Sequence, residues 1–135
     1  MNLIIFYEKP GCKTNAKQKQ SFREAGCKVI ERDLINHGLE REELHEFFKN
    51  MPITKWFNPS APLIKNGKIN LSTLDKESAL DMLMENPILI RRPLMIIKGR
   101  KLCGFNKWFV EKLLDIKMPL KPSMKCETFS KPDEC

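Results

Sequence analysis

The chain has 135 residues, of which 24 are Lys or Arg and 17 are Asp or Glu, giving a formal net charge of +7. A chain of this length is most simply one domain that buries its own core without metal or disulfide bonds. No stretch has the apolar length of a membrane span, and the first residues lack the order of a signal peptide. We therefore expect a cytoplasmic protein that does not contact a membrane.

The basic charge admits two interpretations. An anionic partner is one, and a solvated basic surface is the other. The lysines are scattered along the chain rather than gathered in one run with interleaved aromatic residues. That distribution favours a solvated surface and argues against direct binding of nucleic acid.

Cysteine usage excludes a disulfide scaffold. The five cysteines are odd in number and widely spaced, and in the cytoplasm most of them should be reduced. The spacing of Cys126 and Cys135 matches no structural zinc pattern, so we expect no metal site there. We also expect no bound cofactor. The five are Cys12, Cys27, Cys103, Cys126 and Cys135.

The N-terminal segment gives one cysteine a distinctive setting. An apolar run of strand formers over residues 2–7 ends at the Pro10–Gly11 turn, Cys12 follows, and a helix is expected over residues 16–25. This order places the Cys12 sulfur at or next to a helix N-terminus. There, unpaired backbone N–H groups and the helix dipole favour a thiolate over a thiol.

Two nearby lysines, Lys9 and Lys13, add positive charge close to Cys12. Such an environment commonly lowers the pKa of a cysteine from about 8.5 into the range of about 3.5–7.5. The pattern therefore predicts a reactive cysteine. The alternative is a small buried side chain with no chemistry, which is a common role for cysteine.

The remaining elements complete the pattern β-α-β, helical insertion, β-β-α, and this order predicts an α/β protein with a thioredoxin-like fold. We expect core positions at Trp56 and Phe57, and methionine filling of the core at Met82 and Met84. The domain should cover residues 1–116, and residues 117–135 should form a polar, flexible tail. After the first helix we expect a strand at 27–33, helices at 40–49 and 74–85, and between these two helices a short helical piece at 52–59 and a loop at 60–68. A hairpin of 94–97 and 101–103 should follow. The last element should be an amphipathic helix after residue 104, whose apolar residues are Trp108, Phe109, Leu113 and Leu114.

Four groups of residues together resemble the ArsC/Spx family, and within it the branch of nitrogenase-associated proteins. The resemblance covers residues 2 to about 116 and leaves the tail unmatched. It implies a thioredoxin-like fold and, by way of the arsenate reductases of the family, a role around a reactive thiol. The residues that carry it are 6–12 with Asn15, 56–58, 61–62 and 87–94.

The resemblance also implies site residues. In the family's arsenate reductases a cysteine attacks arsenate, three arginines hold the oxyanion, and glutathione with glutaredoxin completes the reduction. Cys12 matches the nucleophile and Arg92 matches one arginine. Pro93 matches a cis-proline beside the thiol, where it would dock the substrate. The environment of the thiol would then include Gly11, Lys13 and Asn15. Asn15 either donates a hydrogen bond toward the sulfur or is an ordinary amide on the helix surface.

Two of the family's three arginines are absent. Their positions fall near residues 58–60 and at Gly104, and the loss of two charge-assisted contacts argues against arsenate reduction. Arg91, Arg100 or Lys101 could compensate, and the sequence does not choose among them.

The chain also lacks a Cys-x-x-Cys motif, because Asn15 stands three positions after Cys12. Cys12 would therefore act as a single thiol, resolved by glutathione or by a distant cysteine. Cys126 and Cys135 are candidates for that resolving role, and incidental exposed cysteines are the alternative.

Three functions follow as hypotheses. The first is a glutathione- or glutaredoxin-linked thiol reductase of the arsenate reductase type that uses Cys12. The second is a non-catalytic protein that binds nitrogenase or its assembly proteins, as the nitrogenase-associated resemblance implies. The third is a transcriptional regulator like Spx, although the missing Cys-x-x-Cys argues against its redox switch.

Overall fold

The computed structural model describes residues 2–36 and 38–118. Its main elements alternate in the expected order and form an α/β fold of the thioredoxin type. Cys126 and Cys135 lie outside the described residues. The elements are β1 (Leu3–Glu8), α1 (Lys13–Glu24), β2 (Lys28–Asp33), α2 (Arg41–Phe47), α3 (Pro62–Lys65), α4 (Lys76–Glu85), β3 (Leu94–Ile97), β4 (Arg100–Cys103) and α5 (Lys107–Leu114), with short 3₁₀ helices at Ile53–Lys55, Leu71–Thr73 and Pro87–Leu89.

The four strands form one sheet in the order β2-β1-β3-β4. β1 and β2 are parallel because α1 crosses between them, whereas β3 runs antiparallel to both β1 and β4. Tyr7 lies opposite Leu94, and Leu94 lies opposite Cys103. The end of β1, the start of β3 and the end of β4 therefore meet, and we call this the Cys12 end of the sheet.

Each face of the sheet covers a separate part of the core. Ile4 and Phe6 of β1 point toward α1 and α5, where they pack with Phe22 and Val110. The opposite face packs on α2, α4 and the insertion around Trp56. The alternation of the strand residues thus builds two layers of helices around one sheet, as the period of two requires.

Most of the expected core is confirmed, including Trp56 and Phe57, which are both buried. Met84 was expected in the core, but it is 38% exposed because it lies on the outer side of α4. Trp108 is 69% exposed and lies under the Lys112 ammonium. The buried residues of α5 are Leu114, which was expected on its apolar face, and Val110, which was not.

The segment 60–68 was expected to be a loop, but it contains the one-turn helix α3. Pro62 occupies its first position, where the fixed φ of proline suits a helix start and the missing N–H costs nothing. Four residues are too few to give a helical period in the sequence. At the other end of the chain, Met118 lies beyond the expected domain boundary and is buried against the α1–α5 layer.

No helix in the described residues is long and apolar enough to cross a membrane.

A buried ion triad fastens α1 to the sheet below Cys12. The Lys19 ammonium lies 2.7 Å from the carboxylate of Glu8 on β1 and 2.6 Å from that of Glu31 on β2. Burial raises the pKa of Glu8. The hydrogen bond from Lys19 lowers the pKa of the more exposed Glu31 to about 2. Lys19 therefore neutralises a carboxylate that would be costly to leave unpaired.

We expect Lys19→Met to lower the free energy of unfolding at pH 7 by about 3 kcal/mol, because Glu8 would keep a buried charge without its cation. Urea unfolding measures this loss. The Lys17→Met change serves as the control, since Lys17 is an exposed residue of the same helix. Adding Glu8→Gln to Lys19→Met should recover part of the loss, and no recovery would contradict the role given to the triad.

The triad also predicts a pH dependence. The folded-state pKa of Glu31 lies below its ordinary value of 4.5, so its contribution to stability is present above that value and is lost as the pH falls toward about 2. Lys19→Met removes the cation that lowers this pKa. The variant should therefore lose less stability than the wild-type chain between about pH 5 and pH 2.

Candidate active site at Cys12

Cys12 occupies the N-cap position of α1, at the end of the short loop that leaves β1. Its backbone N–H donates to the Lys9 carbonyl at 3.1 Å, which closes the loop into a turn. Gly11 has φ +83, a left-handed conformation that glycine adopts without strain. The turn delivers Cys12 with extended dihedrals, so its side chain faces the first N–H groups of the helix.

The Cys12 sulfur takes the place of a capping oxygen. It accepts a hydrogen bond from the backbone N–H of Asn15 at 3.4 Å, and the thiol-bearing residue is 3% exposed. The first turn of α1 contains no acidic residue. The Asn15 N–H and the positive end of the helix dipole both favour negative charge on this sulfur, whereas its burial opposes that charge.

A buried amide network holds the loop against α1. Asn15 is fully buried; its side-chain oxygen accepts from the Lys9 N–H at 3.3 Å, and its amide donates to Gln18 at 3.1 Å. The helix-surface alternative for Asn15 is therefore wrong, because the side chain bridges the loop and the helix interior. Gln18 is also fully buried and was missed, since a single polar residue in a helix carries no signal of burial.

The other two elements of the site lie across the Cys12 end of the sheet. The Arg92–Pro93 peptide bond is cis, as the family resemblance implied for Pro93. β3 starts at the next residue, and its pairing with β1 brings this bond to the strand end that precedes Cys12. Arg92 is 2% exposed, and its Nη1 donates to the Ile88 carbonyl at 3.2 Å. Arg92 is thus held inside the domain rather than on an open surface.

The positions of the two missing arginines have different local structures. Asn58 is buried in a turn, where its side chain accepts from the Ser60 N–H at 3.0 Å. Gly104 has φ +82, and the space that a Cβ there would occupy lies 3.4 Å from Cδ of Arg91. Neither position supplies a cation itself, but Arg91 fills the room beside Gly104.

Arg91, Arg100 and Lys101 are the three cations that could replace the missing arginines. Of these three, Arg91 lies at the Cys12 end of the sheet. Arg100 starts β4 at the opposite end of the sheet. Lys101 is engaged with Glu46 of α2 at 3.2 Å. The family pattern gave no signal for Arg91, because its relation to Gly104 depends on the pairing of strands that are distant in sequence.

The remaining described cysteines have other environments. Cys27 is buried at the start of β2, and burial raises the pKa of its thiol. Cys103 is half-buried at the Cys12 end, and its thiol lies 3.9 Å from the Arg91 carbonyl oxygen. Within residues 2–36 and 38–118, no group of three or more His, Cys, Asp or Glu side chains could hold a metal ion.

The geometry of the loop predicts the effect of Gly11→Ala. Open space surrounds the position, so the cost is conformational, about 1–2 kcal/mol of stability for a left-handed alanine. Gly26→Ala is a matched control, because Gly26 has φ +89 and similarly open space but lies at the far end of α1. Both variants should lose similar stability in urea unfolding, whereas only Gly11→Ala should slow Cys12 alkylation at pH 7. Equal alkylation rates would contradict a role for this turn in presenting the sulfur.

Two solved structures share the fold of this chain over most of its length. An ArsC-family-related protein from Bacteroides fragilis aligns with a TM-score of 0.71 and 29% identity, covering 82% of this chain and 96% of that one. An arsenate reductase from Vibrio cholerae aligns with a TM-score of 0.66, covering 85% of this chain and 98% of that one. Its identity of 19% supports the shared fold alone.

Sequence relatives point the same way. A 15.7 kDa protein from the region 3′ of draG in Rhodospirillum rubrum is 36% identical over 104 residues, which are 77% of this chain and 73% of that protein. The global transcriptional regulator Spx 2 of Bacillus cereus is 23% identical over 114 residues, covering 83% of this chain and 87% of the regulator. The ArsC family model matches residues 7–113. The chain therefore belongs to the ArsC family.

Proposed function

We propose that the protein is a glutathione-linked thiol oxidoreductase that works with one cysteine, Cys12. The observation that carries the proposal is the position of its sulfur as the N-cap of α1, bonded to the Asn15 N–H. This environment favours the thiolate, which is the nucleophilic form. Family membership supports the proposal, since the chain matches the ArsC model over most of its length.

The reaction balances with glutathione as co-substrate. The Cys12 thiolate attacks the glutathione sulfur of a mixed disulfide, so that a Cys12–glutathione bond forms and the original S–S bond breaks. The substrate thiolate leaves. A second glutathione thiolate then attacks the glutathione sulfur on Cys12, which releases glutathione disulfide and regenerates the Cys12 thiolate. The proton of the attacking glutathione ends on the released substrate thiol.

Two features favour disulfide exchange over arsenate reduction. A compact oxyanion needs several charge-assisted contacts converging on one point. Residues 58–60 and Gly104 offer no cation there, and Arg92 is buried with its Nη1 on a backbone carbonyl. A mixed disulfide makes smaller demands, because the sulfur–sulfur bond itself supplies the leaving group.

A second function rests on the relatives. The protein near draG in Rhodospirillum rubrum and the resemblance to nitrogenase-associated proteins both favour a role in nitrogen fixation. In that role the chain would bind nitrogenase or its assembly proteins, with or without thiol chemistry. The Spx relatives favour a regulator less strongly, since position 15 is Asn and a local Cys-x-x-Cys disulfide cannot form.

The proposal predicts an apparent pKa for Cys12 well below the value of about 8.5 for free cysteine. We would measure the pH dependence of iodoacetamide alkylation in the full chain, with peptide-resolved mass spectrometry separating Cys12 from the other four cysteines. The Cys12 rate should stay high down to about pH 6 and then fall. Incubation with glutathione disulfide should place glutathione on Cys12 before it modifies Cys27 or Cys103.

Cys12→Ser is the control for both measurements and for a glutathione-coupled assay with a small mixed disulfide. Loss of turnover in Cys12→Ser, with stability retained, would support the proposal. An apparent pKa near 8.5 and slow adduct formation would contradict it. Co-purification of nitrogenase components with both the wild-type chain and Cys12→Ser would then favour the binding function.

A further inference from the structure

A cavity of about 200 Å³ opens at the Cys12 end of the sheet, between the insertion and the end of β4. Its wall is part polar and part apolar, with Met51 and Phe105 among the lining residues. Arg91 and Lys55 give it two cationic side chains, and Gly104 and Asn106 form part of its wall. No carboxylate in the described part of the chain forms an ion pair with either cation.

Arg91 is fixed in this cleft by its own backbone and by that of the insertion. Its Nε donates to the Lys55 carbonyl at 2.6 Å, and its backbone N–H donates to the Trp56 carbonyl at 3.0 Å. The first bond uses one of the five N–H donors of the guanidinium. Among residues 2–36 and 38–118, no hydrogen bond involves Nη1 or Nη2 of Arg91. A planar pair of donors is therefore held in place and available to a ligand.

Gly104 lies in contact with this arginine. The point where a Cβ would lie is 3.4 Å from Cδ of Arg91, an ordinary van der Waals distance, so the Arg91 stem packs directly against position 104. The cation beside position 104 therefore comes from a different element, the segment before β3.

We propose that the Arg91–Lys55 cleft binds a carboxylate of the thiol or disulfide that reacts at Cys12. A planar guanidinium recognises a carboxylate through two parallel hydrogen bonds, which a lysine alone cannot do. The inference rests on the proposed function, because it names the substrate of the same site. It makes that substrate an anionic thiol whose carboxylate lies some distance from the reacting sulfur.

The sheet sets that distance. Gly104 follows β4, and the Cys12 loop follows β1, which is two strands away. Two strand spacings are about 10 Å. Three extended residues span about the same length, so a peptide-sized thiol could reach from the cleft to the Cys12 sulfur.

The experiment compares two small disulfides in the full chain. Glutathione disulfide carries two carboxylates on each half, and its tetraethyl ester, in which all four are esterified, is the counterpart without carboxylates. In each case the Cys12 thiolate attacks one sulfur, a Cys12 mixed disulfide forms, and the second half leaves as a thiolate. Mass spectrometry reads the rate at Cys12 separately from that at Cys103, which also lines the cleft.

We expect Arg91→Gln to lower the ratio of the glutathione disulfide rate to the ester rate about tenfold. Arg100→Gln is the matched control, because it removes the same charge from an exposed residue at the opposite end of the sheet. An equal effect of the two variants on that ratio would overturn the inference, because the effect of Arg91 would then be that of net charge alone.

A binding measurement keeps this test separate from the proposed function. S-Methylglutathione, an unreactive thioether analogue, is titrated into Cys12→Ser while the Gly104 and Asn106 amide signals are followed by NMR. The affinity obtained from these chemical shift changes should fall at least about fivefold in Arg91→Gln and stay the same in Arg100→Gln. That result would support carboxylate binding in the cleft even if Cys12 proved inert. No shift at these amides would overturn the inference while a reactive Cys12 left the proposed function intact.

Discussion

The hydrogen bond from the Asn15 N–H to the Cys12 sulfur is the contact through which the fold acts on the candidate reactive thiol. Serine, threonine or aspartate usually caps a helix, and a neutral thiol is a weaker acceptor than their oxygens. A thiolate is a better acceptor, and it also meets the positive end of the helix dipole. By linkage, the helix start that stabilises the thiolate is itself stabilised by it. If Cys12 is a thiolate, as the proposed function requires, a disulfide on it removes that charge and with it this stabilisation of the helix start.

The sheet explains why the rest of the site gathers at the same end. Parallel pairing of β1 with β2 requires the α1 crossover, and the Lys19 triad holds that helix down on both strands. Antiparallel pairing of β3 then returns the chain so that Pro93 meets the end of β1. Local contacts position Cys12 and Asn15, whereas long-range strand order positions Arg91, Arg92 and Pro93.

This division marks what the sequence could predict. Strand, turn, cysteine and helix follow one another within about 25 residues, so periodicity and the Pro10–Gly11 turn were enough to place Cys12. The burial of Asn15 and Gln18 was not predictable, because polar residues in a helix ordinarily indicate its solvent face. The prediction for Trp108 was wrong in the opposite direction, because this apolar residue of α5 is 69% exposed.

The position of Arg91 was also not predictable from the sequence, and it bears on which substrates the site would accept. Comparison with the family pattern finds an arginine missing at position 104, yet the adjacent space is filled by a cation from the segment before β3. Three arginines converging on one point suit a compact oxyanion. A cation held about two strand spacings from the sulfur suits an anion attached to the substrate by a linker. Under the proposed function, the fold keeps its nucleophile while a cation lies farther from it, and that displacement would change which substrates the thiol can hold.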